Sequence, residues 1–383
     1  MPRDAIGYCT NCHAGTTLDA LINNLDRFAG PIRRRLGGDA ALPVGLWLAP
    51  DTAAQLAHDA DTRATLRDAL ARNTLCCRSI NAFPQLDFHQ HTVKHAVYRP
   101  DWTSEARARY TRDVAEVLAA TGEPDAPHLS ISTLPIGWAS GDAARDRQRC
   151  ADAGRQLLGV MEHLVEVGQR TGREVHLDLE PEPGCLLSTT HDAVGFLKRH
   201  VWPLRDDDAV RRHLGVCHDV CHAAVEDLTQ IEALDALQTA GVRLGKLQLT
   251  SALRIDWHEA AAADQLRALR ALDEPRFLHQ CRTRVGDAVH RFDDLPDLPD
   301  PLPLGTHEIT CHHHVPIHLD HFRGIPTTRG DIAAALAHPL IKTDDPVLEV
   351  ETYTHPLLTA EADAVGQIAA EVASACATVA ATP

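Results

Sequence analysis

The sequence lacks any apolar stretch long enough for a membrane helix, which needs about 18 consecutive apolar residues. The first residues, MPRDAIGYCTNCHAG, also lack the apolar segment of a secretory signal. Positive charge is scarce, because 37 Lys and Arg residues stand against 53 Asp and Glu residues, a formal charge of −16. Such a chain repels phosphate backbones and anionic lipid surfaces. We therefore expect a soluble cytoplasmic protein that binds neither nucleic acid nor membranes; the composition leaves its oligomeric state open.

Cysteine pairs of the kind that hold structural zinc are also scarce. The densest cluster is LGVCHDVCHAAVED, residues 214–227. A thiolate zinc site needs four ligands, normally as two pairs, and Cys217 and Cys221 have no second pair nearby in the sequence. We interpret the cluster as a strand end that supplies Asp219 and His222 to a site built from neighbouring strands.

Short apolar segments alternate with longer amphipathic ones along the chain. Eight segments have the composition and flanking turn residues of buried parallel strands: 5–9, 44–50, 78–84, 129–137, 175–181, 214–219, 244–251 and 347–353. Helical patterns occupy 18–35, 51–71, 104–120, 143–171, 190–200, 228–240, 259–272 and 359–377. The repeat predicts an α/β fold, a (β/α)8 TIM barrel. A doubly wound open sheet is the alternative, but the first βα turn lacks G-x-G-x-x-G.

Residues 273–325 interrupt this alternation. The segment is rich in Pro, Asp and His, and it is too long for a simple connection. We interpret the chain as one domain over 1–383 with this His-rich insertion between strands seven and eight. Within it THEITCHHHVPI, residues 306–317, predicts a strand near the site, with His312 and His314 on the face of Glu308.

Acidic and amide side chains stand at the ends of four late strands. The carboxyl ends of barrel strands meet at one face, so we expect Glu180, Asp219, Gln248 and Glu351 to form one oxygen-rich pocket. Burying several carboxylates is costly unless a cation neutralises them. The pocket therefore predicts a divalent metal, with Mn²⁺ or Mg²⁺ favoured by oxygen ligands and Zn²⁺, Co²⁺ or Fe²⁺ admitted by nearby histidines.

Strand alternation leaves open the role of Lys246 at this pocket and the choice between Glu349 and Glu351 as a ligand. Lys246 and Gln248 share one face of strand seven, and we predict Gln248 as a ligand and Lys246 as a candidate catalytic residue, a substrate-binding charge rather than a base. Glu349 and Glu351 also share a face. Glu351 is preferred because it lies closer to the carboxyl end, and Glu349 is the alternative.

The motifs LEPEPG, DVCH, GKLQLTS and LEVETYTH resemble those of the xylose isomerase-like TIM barrels. This superfamily contains sugar isomerases, ketose epimerases, hydroxypyruvate isomerase and the endonuclease IV group. The resemblance implies metal binding by Glu180, Asp219, Gln248 and Glu351, and the Gln at the third position looks most like hydroxypyruvate isomerase. In the endonuclease IV group the loop after strand seven binds further zinc ions. That likeness implies a second metal at His222, His312 and His314, as an alternative to substrate binding by these histidines.

Longer motifs resemble the EboE family of metabolite traffic proteins: GYCTNCHAG, INAFPQLDFHQHTVKHAVYRPDW, ISTLPIGW, LEPEPGCLL, HLGVCHDVCHAAV, GKLQLTSAL and HHHVPIHL. Members of that family are encoded beside a sugar phosphate cyclase-like protein and a UbiA-like prenyltransferase. The resemblance covers nearly the whole chain and implies a barrel that handles a small metabolite.

Loops after strands three, four and five carry candidate substrate contacts. They offer cations, hydrogen-bond donors and one flat aromatic surface for a sugar or cyclitol ring. The predicted substrate-binding residues are Asn81, His89, His91, Arg99, Trp138 and Glu182.

These residues favour a metal-dependent isomerase or epimerase of a sugar, sugar phosphate or cyclitol ketone. The metal would hold a carbonyl and its neighbouring hydroxyl and stabilise an enediolate. Glu180 or Glu351 would take the carbon-bound proton, and the other, or His222, would return it. One alternative is a barrel that binds and carries a metabolite without turnover. Another is a zinc-dependent phosphodiesterase of the endonuclease IV type, which the charge of −16 and Gln248 disfavour.

Overall fold

Eight parallel strands close into a barrel in the computed structural model, which describes residues 6–358 and 360–382. The barrel strands are the first seven and the last of the chain, in sequence order, and the last pairs with both the seventh and the first. The predicted (β/α)8 barrel is therefore confirmed. The strands are β1 Ile6–Cys9, β2 Leu42–Leu46, β3 Leu75–Asn81, β4 Leu129–Thr133, β5 Val175–Leu179, β6 Leu214–Asp219, β7 Leu244–Leu249, β8 Leu253–Asp256, β9 Cys281–Val285, β10 Ala288–Phe292, β11 Thr306–Cys311, β12 His321–Phe322, β13 Ile325–Pro326 and β14 Val347–Val350.

Helices connect the barrel strands on the outside. The predicted helix over 51–71 is two helices, because Asp59 ends the first and caps the second with its side chain. The predicted residues Ala5 and Thr359 lie outside the described residues. The helices are α1 Leu18–Asn24, α2 Gly30–Leu36, α3 Pro50–His58, α4 Ala60–Arg72, α5 Glu105–Thr121, α6 Ala143–Thr171, α7 Thr190–Phe196, α8 Asp208–His213, α9 Val220–Val225, α10 Gln230–Ala240, α11 Ala262–Arg270, α12 Gly330–Leu336, α13 Leu340–Thr343, α14 His355–Leu358 and α15 Glu361–Ala381.

Strand alternation separates an apolar outer layer from a polar barrel interior. In β5, Leu177 and Leu179 belong to the main hydrophobic core. Between them, Asp178 accepts a hydrogen bond from Ser130 Oγ at 2.6 Å and contacts His176. Successive strand residues point to opposite faces. The residues that point into the barrel are therefore largely polar, and they continue as far as the barrel mouth.

The insertion is larger than the predicted 273–325. After β7 only three residues precede β8, and β8 pairs with β11 in a four-stranded antiparallel sheet ordered β10-β9-β11-β8. Helix α11, predicted as a barrel helix, packs on this sheet, because its Leu269 shares an apolar cluster with Leu253 and Ile309. The insertion therefore runs from β8 to β13, and α12 takes the barrel position beside α10.

The strand predicted over 306–317 ends at Cys311. The chain then leaves the sheet, because the backbone N–H of Val315 donates to Ser251 O just after β7, at 3.0 Å. This bond holds the segment His312–His314 over the barrel mouth. The three histidines thus follow the strand instead of lying in it.

The last helix, α15, is long and apolar enough to cross a membrane by length and composition alone. One such helix is weak evidence for a membrane span. Here it packs on α2 and β1, and its fully buried Glu371 accepts hydrogen bonds from the backbone N–H of Ile317 at 3.0 Å and Thr352 Oγ1 at 2.8 Å. The cellular compartment stays a prediction.

Candidate metal and substrate site

Four polar side chains meet at the carboxyl-terminal mouth of the barrel. Glu180 follows β5 directly, Asp219 ends β6, Gln248 lies in β7 and Glu351 follows β14. All four are at most 5% exposed. The structure therefore brings together the four residues that the strand ends predict as metal ligands.

Gln248 bridges two of the carboxylates. One end of its side-chain amide lies 2.8 Å from Glu180 Oε1 and 3.1 Å from Asp219 Oδ2. With its nitrogen at that end, the amide donates a hydrogen bond to each carboxylate. With its oxygen there, three oxygen atoms converge, an arrangement that needs a cation between them. Gln248 thus fits the site with or without a bound metal ion.

Glu180 is buried beside two other acids, Asp219 and Glu351. Burial raises its pKa well above the usual range, and the negative charges of Asp219 and Glu351 raise it further. Its Oε2 has no hydrogen-bond partner within residues 6–358 and 360–382. A buried carboxylate oxygen without a donor is suited to accept a proton or to bind a cation.

Asp219 is held in its ionised form. Its Oδ1 accepts hydrogen bonds from the backbone N–H of His222 at 2.9 Å and from Thr250 Oγ1 at 2.7 Å. Burial alone would raise the pKa of Asp219, but His222, His314 and these hydrogen bonds lower it below its usual value. Because Asp219 is also the N-cap of α9, the strand-to-helix turn fixes the direction of its side chain.

Glu351 is oriented by two other segments of the chain. The amide nitrogen of Asn11, just after β1, donates to its Oε1. His314 Nδ1 lies 2.8 Å from both Oε2 and the backbone oxygen of Glu351. The insertion therefore helps to position the last acid of the site.

Three histidines lie beside these acids. Their ring centroids are 4.7 Å apart for His222 and His312, 5.5 Å for His222 and His314, and 5.0 Å for His312 and His314. Potential ligand atoms of Asp219, His222 and His314 lie within 4.8 Å of one another, as do those of Glu182, His222 and His312. Nε2 of His312 and of His314 lacks a hydrogen-bond partner in the described part of the chain. This mixed donor set fits a divalent metal ion.

The site opens into a cavity of about 70 Å³. Its polar floor consists of Glu180, Glu182, His222, His312, His314 and Glu351. The walls are mostly aromatic or apolar and consist of Asn11, Asn81, Phe83, Pro84, Phe88, Lys94, Val97, Tyr98, Phe277, Leu278 and Tyr353. A polar floor below apolar walls is typical of sites for small polar molecules that have one apolar face.

Glu182 belongs to a hydrogen-bond network that includes the insertion. Tyr98 donates to its Oε1 at 2.9 Å and Gln280 Nε2 does so at 3.2 Å. Burial raises the pKa of Glu182 to about 7, against the opposing effect of these two donors. Gln280 Oε1 also lies 2.5 Å from His312 Nδ1. One residue of the insertion therefore orients both Glu182 and His312.

Lys246 lies in the barrel interior, away from the cavity where it was expected to act. Its Nζ is 2.6 Å from Glu349 Oε1, and the lysine is fully buried. Burial alone would lower the pKa of Lys246, but Glu349 raises it above its usual value. Lys246 is therefore a fixed positive charge that neutralises Glu349. Glu349, the alternative ligand, is occupied by this pair, whereas Glu351 reaches the cavity.

Four of the six predicted substrate contacts do not line the cavity. Trp138 packs behind its wall, against Tyr98, with ring centroids 4.9 Å apart. His89 also stands behind the wall, with Nε2 2.7 Å from the backbone oxygen of Asn11. The exposed His91 contacts the neighbouring Thr92, and the exposed Arg99 pairs with Asp101. The two predicted contacts that do line the cavity are Asn81 and Glu182.

The structure adds cavity residues that strand-end reasoning did not select. Asn11 follows β1, so the same rule that found Glu180 would have found it. Tyr98 lies in the polar loop after β3 that carries three of the predicted substrate contacts, but no feature of the sequence distinguishes it from its neighbours. Phe277, which lines the cavity, and Gln280, which contacts Glu182 and His312 behind it, come from the insertion, whose approach to the mouth depends on long-range packing.

A closed parallel barrel with Glu, Asp, Gln and Glu at the ends of its last four strands has the fold of the xylose isomerase-like TIM barrels. The chain matches solved structures that share this fold. It is similar to L-ribulose 3-epimerase, with 12% identity, 98% of this chain and 94% of that chain covered, and a TM-score of 0.51. It is also similar to a xylose isomerase-like TIM barrel protein from Mycobacterium smegmatis in complex with magnesium, with 13% identity, coverage of 98% and 97%, and a TM-score of 0.48.

No protein-family model and no curated protein matches the chain. The likeness to L-ribulose 3-epimerase shows the fold alone. The xylose isomerase-like superfamily and the EboE family both stay predictions from the motifs.

Proposed function

We propose that the protein is a divalent metal-dependent isomerase or epimerase of a sugar, sugar phosphate or cyclitol ketone. The observation that carries the proposal is the position of Glu180 and Glu351. Both carboxylates are buried and line one small cavity, and they follow β5 and β14, which are separated by two strands on one side of the eight-stranded barrel. Acids from nearly opposite sides of the mouth can address the two faces of a substrate carbon.

Glu180 is the better proton acceptor of the two. Its Oε2 lacks a donor among the described residues, so this oxygen is free to accept a proton from the substrate. Glu351 is already bound by Asn11 and His314. We assign Glu180 to remove the proton beside the carbonyl, and Glu351 or His222 to return a proton from the other side.

The remaining polar groups bind and orient the substrate. A divalent cation held by Glu180, Asp219, Gln248 and Glu351 supplies Lewis-acid polarisation of the carbonyl when bound. Asn81 and Lys94 offer donors to hydroxyl groups from the walls, and the Tyr98 hydroxyl, which donates to Glu182, offers an acceptor. The aromatic side chains beside them exclude water and suit the apolar face of a sugar or cyclitol. His222, His312 and His314 are either further substrate contacts or ligands of a second cation.

Deuterium incorporation tests the proposal. Protein loaded with Mn²⁺ is incubated in deuterated buffer with a panel of ketoses and cyclitol ketones that begins with L-ribulose, and the products are followed by NMR. We expect one panel member to be converted with deuterium at the carbon beside the carbonyl. Glu180→Gln should lower that rate by about 100-fold or more, because a positioned base contributes at least that much.

Glu162→Gln is the matched control, since Glu162 is an exposed residue of α6. It makes the same change of charge and should leave the rate unchanged. If a panel member binds tightly but neither converts nor exchanges, the protein is a metabolite carrier on the same barrel. Equal rates for Glu180→Gln and the unaltered protein would remove Glu180 from the reaction.

A further inference from the structure

Cys221, His312 and His314 meet beside the candidate site. Each offers one potential ligand atom within 4.8 Å of those of the other two, and all three residues are at most 2% exposed. Cys221 belongs to α9, which follows β6, whereas the two histidines follow β11 of the insertion. The group therefore joins the barrel to the insertion, and it contains none of the four predicted strand-end ligands.

The free ring nitrogens of both histidines are suited to bind a cation. In His312, Nδ1 contacts the side-chain oxygen of Gln280 at 2.5 Å. In His314, Nδ1 lies 2.8 Å from two oxygen atoms of Glu351. Because these oxygens accept, each Nδ1 carries a hydrogen, and each Nε2, which has no hydrogen-bond partner in the described ranges, is the ligand atom. A metal-binding histidine typically donates its other N–H to an acceptor of this kind.

The backbone holds both sides of the group in place. The backbone N–H of Cys221 donates to Thr250 Oγ1 at 2.8 Å, and that of His312 donates to Gln280 O at 2.8 Å. Little reorganisation therefore opposes the binding of an ion between them. His312 and His314 also line the cavity, so an ion can reach them from the barrel mouth.

The surrounding charges favour a cation. His314 lies between two carboxylates, with Nε2 4.0 Å from Asp219 Oδ1 and Nδ1 2.8 Å from Glu351 Oε2. Burial raises the pKa of the Cys221 thiol to about 11, although His314 lowers it. The thiol therefore keeps its proton at neutral pH until a metal ion displaces it.

We propose that Cys221, His312 and His314 bind a zinc ion that ties the insertion to the barrel. A thiolate with two imidazoles suits Zn²⁺, whereas Mg²⁺ and Mn²⁺ prefer oxygen ligands. Binding forms a Zn–S bond and releases the thiol proton to the solvent, and a fourth position remains for water. The proposal selects one of the two roles left open for the histidines, and it does not depend on the isomerase or epimerase activity.

Cobalt spectroscopy tests the thiolate ligand. Co²⁺ accepts the same sulfur and nitrogen ligands as Zn²⁺, and its complexes absorb light, whereas those of the d¹⁰ ion Zn²⁺ are colourless. The full chain is reduced, freed of metal with EDTA and titrated with Co²⁺ in the absence of oxygen. We expect a saturable sulfur-to-cobalt charge-transfer band in the near ultraviolet. Added Zn²⁺ should abolish the band, and Mg²⁺ should leave it unchanged.

Cys221→Ser should abolish the band. His312→Gln should weaken the Co²⁺ binding that the band reports by about 10- to 100-fold, since the loss of an outer-shell partner alone costs that much. Cys77→Ser is the matched control, because Cys77 is equally buried but lies in β3, and it should keep the band. Glu180→Gln alters the strand-end site and should also keep the band, so the two proposals fail or stand separately.

Melting temperatures show whether each variant is folded. A band that persists in folded Cys221→Ser, or no band in the unaltered protein at saturating Co²⁺, would overturn the proposal. X-ray absorption of the unaltered protein with one equivalent of Zn²⁺ gives a test that needs no variant. The spectrum should show sulfur at about 2.3 Å and nitrogen at about 2.0 Å from zinc, and a zinc ion surrounded only by oxygen and nitrogen would contradict the assignment.

Discussion

At the scale of single residues, the buried ion pair between Lys246 and Glu349 inside the barrel is the feature on which stability depends most directly. Lys246 and Glu349 are at most 2% exposed, and Ser79 donates to the second carboxylate oxygen. A buried pair is stable only while both partners are present. The pair therefore constrains β7, β14 and β3 together, just below the candidate site.

Lys246→Met should destabilise the protein by about 3–5 kcal/mol, because it leaves the Glu349 charge buried without a partner. The double variant Lys246→Met with Glu349→Gln should recover most of that loss, since no charge remains and Gln keeps an acceptor for Ser79. Urea unfolding of both variants measures the difference. A single-variant cost below about 1 kcal/mol would mean that the pair is far better hydrated than its burial indicates.

His128 makes stability depend on pH. Its Nδ1 lies 2.9 Å from His176 Nε2, and its Nε2 lies 2.9 Å from Asp345 O. Burial, followed by the charges of His176 and Arg243, lowers the pKa of His128 to about 4. The unfolded chain takes up this proton near pH 6.5, before the folded protein does. Stability from His128 is therefore complete above about pH 6.5 and is lost as the pH falls through about 4.

His128→Gln should remove this dependence. Between pH 7 and pH 4 the unaltered protein should lose about 3 kcal/mol more stability than the variant, at most, because each pKa unit corresponds to about 1.4 kcal/mol. Urea unfolding across that range provides the measurement. Parallel curves for the two proteins would show that His128 titrates alike in the folded and unfolded states.

Residue positions in the site were predictable to different extents. Glu180, Asp219 and Glu351 each lie at a strand end. Barrel geometry brings strand ends together regardless of the conformation of the connecting loops. Lys246 obeys the same alternation but sits one layer too deep, where Glu349 holds it. His91 and Arg99 lie in a loop whose path depends on contacts distant in sequence, and composition alone did not place them.

At the scale of elements, the insertion is a small sheet that positions two histidines, His312 and His314, at the candidate site. Its sheet has an apolar core of its own, separate from that of the barrel. His312 and His314 follow β11, and Gln280, which directly precedes β9, lies 2.5 Å from His312 Nδ1. Local stability of this sheet should therefore control the geometry of the site.

Ile309→Ala tests that dependence. Ile309 is fully buried in the centre of the sheet, and its truncation should cost about 2–4 kcal/mol. Hydrogen exchange should accelerate in β8, β9 and β11 while the barrel strands keep their protection, because the two cores are separate. Metal affinity should fall with it. Val160→Ala, an equally buried change in α6, serves as the control that should leave exchange in the insertion unaltered.

The barrel strands and the presence of an insertion were predictable, but the bounds and the sheet of the insertion were not, for a physical reason. Seven of the eight barrel strands are buried at every residue, and β3 is buried at all but Cys76 and Arg78. A short apolar run between turn residues therefore predicts such a strand without any knowledge of its partners. Antiparallel strands such as β10 are half exposed and short, and α11 has the same amphipathic pattern as a barrel helix. Only its contact with Ile309 in the folded chain assigns α11 to the insertion.

At the scale of the whole molecule, the order of strands and helices predicts the fold, whereas the net charge predicts only which classes of partner are disfavoured. Eight strand and helix repeats predict the barrel because connectivity leaves few other solutions. The net charge of −16 is a property of the whole chain and contains no information on which side chains meet at the barrel mouth. That the protein binds no nucleic acid, which rests on this charge, stays a prediction.

Metal binding should stabilise the whole barrel, because the donors come from three or more strands that unfold together. Mn²⁺ at 100 times its dissociation constant should add about 2.7 kcal/mol to the free energy of unfolding, which raises the melting temperature by a few degrees. Asp219→Asn should abolish the increase while keeping the cap of α9, since Asn is also a good N-cap. Asp125→Asn, an exposed change of the same kind, should respond to Mn²⁺ as the unaltered protein does. If Asp219→Asn retains the full increase, Mn²⁺ binds outside the strand-end site.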